Sequence, residues 1–185
     1  MIRAYIPKYL MAGFYLLTIL LGNYFVIYFG ILDFIISQNG NILFTLTAPA
    51  GVLWIGLTFS FRDLAQRFWG THKIWIWMVI ATIITYLYNR NIALASVLSF
   101  LISETIDWII FTITRLNLKY RIIISNLIAA PLDSFIFVYI AFGFILDAMI
   151  GQALLKVLFS LLIIPLLPLF DKLYFYMTGV KNEFK

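Results

Sequence analysis

The sequence predicts an all-α integral membrane protein in which six helices cross the bilayer and both termini face the cytoplasm. Three observations support this: the composition, the number of long apolar segments and the distribution of basic residues. Of the 185 residues, 64% are hydrophobic and only 11% are charged. An ordinary soluble domain is about 45–50% apolar and about 25% charged, so lipid is the expected solvent for most of this chain.

Six apolar segments approach the roughly 20 residues that a hydrocarbon layer about 30 Å thick requires. They cover residues 10–30, 48–68, 74–88, 92–114, 122–146 and 150–170. Most connections between them are short, which favours helical hairpins, so a single transmembrane transporter domain over residues 1–185 is predicted. Polar residues interrupt the apolar runs within residues 31–47, and this segment is expected to be a re-entrant piece or an external flap.

Lysine and arginine are distributed unevenly between the two ends of the predicted helices. On one side lie Arg3, Lys8, Arg62, Arg67, Lys73, Arg115, Lys119, Arg121, Lys172, Lys181 and Lys185, and on the other only Arg90 and Lys156. Because cytoplasmic loops carry the excess of basic residues, both termini are predicted to be cytoplasmic, which agrees with an even number of spans. The basic residues that give the net charge of +5 are therefore expected to orient a multi-pass protein in the cytoplasmic (inner) membrane. Its partner is the lipid bilayer, and no nucleic acid is expected.

The residues needed for several kinds of catalysis are missing from the sequence. The chain has no cysteine and one histidine, which leaves neither a Ser-His-Asp triad nor a zinc site with its usual ligands. No glycine-rich phosphate-binding loop is present either. The sequence therefore predicts no enzyme, no metal and no cofactor.

Three acidic residues lie where a membrane helix should be apolar. Glu104 and Asp107 are three residues apart and share one helical face, and Asp133 lies at a similar depth, about 18 Å along the next span. A carboxylate in hydrocarbon costs at least about 2.5 kcal/mol, and secondary transporters place substrate and ion sites near the midplane. The alternative is structural, with hydrogen bonds to Ser, Thr or Asn of neighbouring helices.

Other residues support a binding site less directly. Lys156 could neutralise one of the carboxylates or extend its side chain to the outer headgroups. Asp63 and Arg67 have the i,i+4 spacing of a local ion pair, or they belong to a solvated helix end. Trp54, Trp108 and Phe135 could stack on a planar ring, although each taken alone is more often a packing residue.

Together these residues resemble the family of putative vitamin uptake, or queuosine precursor, transporters (VUT). The resemblance is carried by GNYF at residues 22–25, by residues 61–70, by residues 98–111 around Glu104 and Asp107, by residues 132–142 after Pro131, and by residues 156–158 before Pro165. Asn23, Asp63, Arg67, Asp107, Asp133 and Lys156 match polar positions of the family pattern. Glu104 matches a position where other members can carry an amide. Ala130 departs from the pattern, because members often have a polar residue there, and the departure leaves the exact base open.

The resemblance implies import of a 7-deazaguanine base, notably 7-cyano-7-deazaguanine, for making queuosine in transfer RNA. Asp107 or Asp133 would accept hydrogen bonds from the N1 hydrogen and the 2-amino group of the base. Lys156 or Asn23 would address its carbonyl or cyano edge, and Trp54, Trp108 or Phe135 would stack on the ring.

The resemblance extends to the substrate-binding components of energy-coupling vitamin importers, which are six-helix chains that work with a separate ATPase module. The chain could therefore act alone as a proton-linked or facilitative carrier, or form a homo-oligomer. It could also work with a separate energising module as a partner-dependent vitamin-binding subunit. Rival interpretations are a structural or assembly protein, whose buried charges pair with another chain, and an ion channel, which needs rings of charge.

Overall fold

The computed structural model describes residues 6–38, 41–88 and 93–178. The elements in chain order are α1 (Ile6–Phe29), β1 (Ile31–Gln38), β2 (Asn41–Pro49), α2 (Val52–Trp69), α3 (Ile74–Tyr88), α4 (Ala93–Ile113), α5 (Leu118–Phe142), α6 (Leu146–Leu161), a 3₁₀ turn (Ile164–Leu166) and α7 (Leu167–Thr178). Arg3, Arg90, Lys181 and Lys185, which enter the predicted charge asymmetry, lie outside the described residues.

Four helical stretches of the described chain are long and apolar enough to cross a membrane. They are α1, α4, α5 and the run from α6 into α7. Helix α2 has 18 residues but contains Arg62, Asp63 and Arg67, and α3 has only 15 residues. A mainly helical, multi-pass architecture is therefore confirmed, while the count of six spans and the cytoplasmic termini stay predictions.

Strands β1 and β2 pair antiparallel as a β-hairpin, in which Ile31 pairs with Pro49 and Gln38 pairs with Asn41. The all-α prediction is wrong here, because this segment is rich in isoleucine and threonine, whose branched side chains favour extended backbone. The Asn39-Gly40 pair in the sequence is also a strong signal for a tight hairpin turn. Across the strands, the hydroxyl of Thr47 donates a hydrogen bond of 2.8 Å to the carboxylate of Asp33.

Helix α4 shows how the bundle divides polar from apolar surface. Its exposed positions 94, 98, 102, 109 and 113 are all leucine or isoleucine, whereas Ser99, Ser103, Glu104 and Asp107 are buried. This distribution is the reverse of a soluble helix and is expected where lipid covers the outside and polar groups meet inside. The polar face of α4 therefore points into the bundle.

Helix α2 lies at the centre of the bundle and contacts α1, α3, α4, α5 and α6. It approaches α6 closely at Gly56, where a Cβ atom would lie 2.8 Å from the carbonyl oxygen of Lys156 and 2.9 Å from Cβ of Phe159. One turn later the hydroxyl of Ser60 donates to the carbonyl of Ser160 and accepts from the amide of Asn126 on α5. These contacts hold α2, α5 and α6 together.

The predicted last span, residues 150–170, is not one continuous helix. Helix α6 ends at Leu161, a 3₁₀ turn follows, and α7 starts at Leu167. Pro165 and Pro168 explain the interruption, because proline lacks a backbone donor and clashes with the preceding turn.

The close approach at Gly56 predicts that Gly56→Ala lowers the thermal unfolding temperature of the purified protein in detergent. Overpacking costs about 1–3 kcal/mol, against about 1 kcal/mol gained in helix propensity. Gly13→Ala is the matched control, because Gly13 is also helical and no atom lies within 4 Å of the position that an added methyl group would occupy. We expect the control to leave the unfolding temperature unchanged or slightly higher. Equal unfolding temperatures for both variants would contradict the proposed packing.

Candidate functional site

A partly open pocket lies inside the bundle and is lined by six helices and the end of the hairpin. Its polar lining consists of Asn23, Thr85, Ser96, Ser99, Asp133, Gln152 and Lys156. The rest is mostly apolar and includes Phe100 and Phe137. This mixture of apolar walls with a few polar groups is typical of small-molecule sites.

The pocket lies toward one end of the bundle. Its lining residues come from the last turns of α1 and α3, the starts of α2 and α4, the second half of α5 and the middle of α6. Pro49 and Gly51, which lie at and just after the end of strand β2, line it as well. The hairpin is therefore positioned beside the pocket by the chain segment that joins it to α2.

An ion pair joins two helices at the pocket wall. The ammonium of Lys156 on α6 contacts the carboxylate of Asp133 on α5, and both side chains are almost completely buried. The hydroxyl of Ser103 on α4 donates to the other carboxylate oxygen of Asp133 at 3.2 Å. Lys156 also lies 6.0 Å from the ring centre of Phe137. Of the two predicted roles for Lys156, neutralising a carboxylate is thus confirmed, and extension to the headgroups is wrong.

Two amides near this ion pair offer polar atoms to the pocket. The side-chain oxygen of Gln152 is buried and has no hydrogen-bond partner among the described residues. Asn23 donates its amide to the carbonyl of Ile19 at 2.9 Å. An unpartnered buried oxygen carries a desolvation cost of about 1–3 kcal/mol, which a ligand with an N–H group would relieve.

A second group of charges, the Arg62 cluster, consists of Arg62, Asp63, Glu104 and Asp107. The guanidinium of Arg62 lies 3.0 Å from a carboxylate oxygen of Asp63, 3.0 Å from one of Glu104 and in contact with Asp107. None of the four side chains has exposed surface. The arginine of α2 thereby joins the acidic face of α4 predicted from the spacing of Glu104 and Asp107.

Neutral polar groups surround the Arg62 cluster. Gln66 accepts a hydrogen bond from Arg62 at 2.6 Å and donates one to Thr112 at 2.9 Å. Ser125 of α5 donates to Asp63 at 3.2 Å. The predicted alternative, hydrogen bonding of carboxylates to serines of neighbouring helices, is therefore present together with ion pairing.

The predicted site residues fall into three groups. Asn23, Asp133 and Lys156 line the pocket, whereas Asp63, Glu104 and Asp107 belong to the Arg62 cluster. The structure places Arg67, Trp54, Trp108 and Phe135 outside the pocket lining. Their roles in binding stay predictions.

The outlying aromatic residues have other contacts. Trp54 packs against Phe25, and Trp108 packs against Trp75 and donates to the carbonyl of Thr71 at 2.7 Å. Phe135 is 39% exposed on the outside of the bundle. Packing, the alternative role of each residue, accounts for the contacts of Trp54 and Trp108.

Sequence reasoning missed Gln152, Phe137 and the burial of Arg62. Gln152 lies four residues before Lys156, and Phe137 lies four residues after Asp133, so each shares a helical face with a predicted site residue. The charge asymmetry led us to count Arg62 among the cytoplasmic charges. Gln66, to which Arg62 donates a hydrogen bond, lies four residues later on the same helical face. Helical spacing from Lys156 and Asp133 was the signal that could have found Gln152 and Phe137.

Comparison with known proteins gave one result. The model of a family described as putative vitamin uptake transporter matches residues 85–170. No curated protein and no solved structure matches the chain. The resemblance predicted for residues 22–25 and 61–70 lies outside the matched range and stays a prediction. The matched range contains Glu104, Asp107, Asp133 and Lys156. The match confirms the predicted resemblance to the putative vitamin uptake transporter family, and it supports a membrane transporter of the vitamin uptake type.

Proposed function

We propose that this protein imports a 7-deazaguanine base, such as 7-cyano-7-deazaguanine, across the cytoplasmic membrane and holds it in the pocket beside Asp133 and Lys156. The single observation that carries the proposal is the buried Asp133–Lys156 ion pair on the wall of a partly open pocket. Intramembrane charges are costly and usually serve a substrate or ion path. A planar base that has hydrogen-bond donors on one edge and acceptors on another is complementary to the neighbouring carboxylate of Asp133 and ammonium of Lys156.

Asp133 is suited to the donor edge of the base. A carboxylate has about four acceptor positions on its two oxygens, and Ser103 and Lys156 occupy one on each oxygen. The remaining positions can accept the ring N–H and the amino group as a pair. Hydrogen bonds to an ionised acceptor are about twice as strong as neutral ones, so this contact would supply much of the specificity.

The other groups of the pocket suit the remaining parts of the base. Lys156 can donate to a carbonyl or cyano group, and the oxygen of Gln152 can accept from an N–H group. Phe100 and Phe137 line the pocket and can pack on the faces of the ring. They are better placed for this role than Trp54, Trp108 and Phe135.

The proposal predicts uptake of labelled 7-cyano-7-deazaguanine into cells that lack their own synthesis and import of this base. Asp133→Asn should reduce uptake by at least about tenfold, because it removes a charged acceptor worth about 1.5–3 kcal/mol. Asp147→Asn is the matched control, since Asp147 is exposed in the first turn of α6 and lies outside the pocket lining. Uptake should be measured at equal amounts of each variant in the membrane.

Three outcomes distinguish the alternatives. Normal uptake by Asp133→Asn would refute the binding role of Asp133. Binding by the purified protein without uptake would indicate a partner-dependent binding subunit. Neither binding nor uptake by correctly inserted protein would refute the proposed substrate.

Gln152→Leu gives a second prediction, in which stability and affinity change in opposite directions. Replacing an unpartnered buried amide with an apolar side chain of similar size should leave the unfolding temperature unchanged or raise it. The affinity for the base should fall about tenfold, equivalent to about 1.4 kcal/mol. Base titration and thermal unfolding of the purified protein measure the two effects.

Gln66→Leu serves as the contrast, because Gln66 is hydrogen-bonded to Arg62 and Thr112. This variant should lower the unfolding temperature. If Gln152→Leu bound the base as tightly as the original protein, Gln152 would have no part in recognition.

A further inference from the structure

The Arg62 cluster contains more negative than positive charge. One guanidinium faces the three carboxylates of Asp63, Glu104 and Asp107. With all groups ionised, two negative charges would remain unmatched among side chains that have no exposed surface. An uncompensated buried charge costs several kcal/mol, so a positive species or a bound proton is required.

Nearby charged groups do not neutralise the two unmatched negative charges of the Arg62 cluster. Lys156 already pairs with Asp133. Arg121 of α5 reaches Asp63 electrostatically, but its guanidinium donates two hydrogen bonds to the carbonyl of Phe111. Asp133 and Tyr15 also interact electrostatically with Glu104, and neither brings positive charge.

Unpartnered atoms mark where the missing species can bind. One oxygen of Glu104 has no hydrogen-bond or ion-pair partner among the described residues. The hydroxyl of Tyr15 on α1 is equally buried and unpartnered, and it lies within electrostatic range of Glu104 and Asp107. A tyrosine hydroxyl can accept a hydrogen bond from a carboxylic acid or donate one to a carboxylate.

The arrangement suits a proton better than a metal ion. Within the part of the chain that the structure describes, no three His, Asp or Glu side chains are placed to hold a metal ion. The guanidinium of Arg62 contacts all three carboxylates of the cluster. A proton needs one free oxygen and no further coordination.

Glu104 is the member of the cluster connected to the pocket. Ser103, its neighbour in sequence, donates to Asp133, and the charge of Asp133 acts on Glu104. Protonation of Glu104 would therefore remove a negative charge near Asp133 and favour the ionised Asp133 that accepts the base. By linkage, bound base would favour the protonated Glu104 to the same extent.

We propose that Glu104 is a proton-binding site and that its protonation strengthens binding of the base in the pocket. The proton would add to the free oxygen of Glu104 from water and return to water when the base leaves. Proton binding stands on the Arg62 cluster alone, whereas the coupling to the base rests on the proposed function.

Infrared spectroscopy of the purified protein near neutral pH tests the proton site without any substrate. A protonated carboxylic acid has a carbonyl band separate from that of a carboxylate, and glutamate labelled with ¹³C at the side-chain carboxyl shifts this band. The chain has only two glutamates, Glu104 and Glu183. We expect a protonated-acid band that shifts with the label, is lost in Glu104→Gln and persists in the control Glu183→Gln.

The absence of a label-sensitive protonated band, or its loss in Glu183→Gln, would overturn the proton site. Because the chain has only these two glutamates, a label-sensitive band that persists in Glu183→Gln belongs to Glu104, so the question is decided even if Glu104→Gln does not fold.

Base affinity measured at several pH values tests the coupling. Affinity should weaken by up to about tenfold per pH unit as pH rises through the titration of Glu104, and Glu104→Gln should remove this dependence. A pH-independent affinity, or dependence on sodium in place of protons, would refute the coupling. Absence of base binding would refute the proposed function and the coupling with it, while the infrared result would still decide the proton site.

Discussion

The guanidinium of Arg62, which pairs with Glu104 and Asp107, is the interaction on which the interior of this bundle depends. It joins the central helix α2 to the acidic face of α4, and both helices also pack against α5. Helices in lipid gain little from apolar association and rely on packing and polar contacts. Removing one partner of a buried ion pair typically costs about 3–5 kcal/mol, so the cluster specifies which faces of α2 and α4 meet.

Much of the fold follows from the sequence, and the exceptions have local physical reasons. Helices α1, α4 and α5 lie within a few residues of the predicted segments, because each is a long apolar run. An apolar run does not distinguish helix from strand by itself, and the β-hairpin was missed for that reason. The break after Leu161 depends on how two prolines are accommodated, which the apolar pattern does not reveal.

The sequence identified charged residues of the interior but not how they pair. The cost of burying a carboxylate marks Glu104, Asp107 and Asp133 without any structure. Depth along a helix says nothing about its rotation, so Asp133 could not be separated from the other two. The structure pairs Asp133 with Lys156 and the α4 carboxylates with Arg62. Arg62 was hardest to predict, because an arginine near a helix end is usually solvated.

The contact between Gly56 and the backbone of Lys156 makes α2 and α6 neighbours at the residue that also carries the pocket cation. A rigid displacement of α6 that separates Lys156 from Asp133 must therefore begin by sliding or opening this backbone contact. Because glycine leaves no side chain between the two helices, their backbones can approach closely at this crossing. The position of the pocket cation therefore depends on a glycine of α2 that does not itself line the pocket.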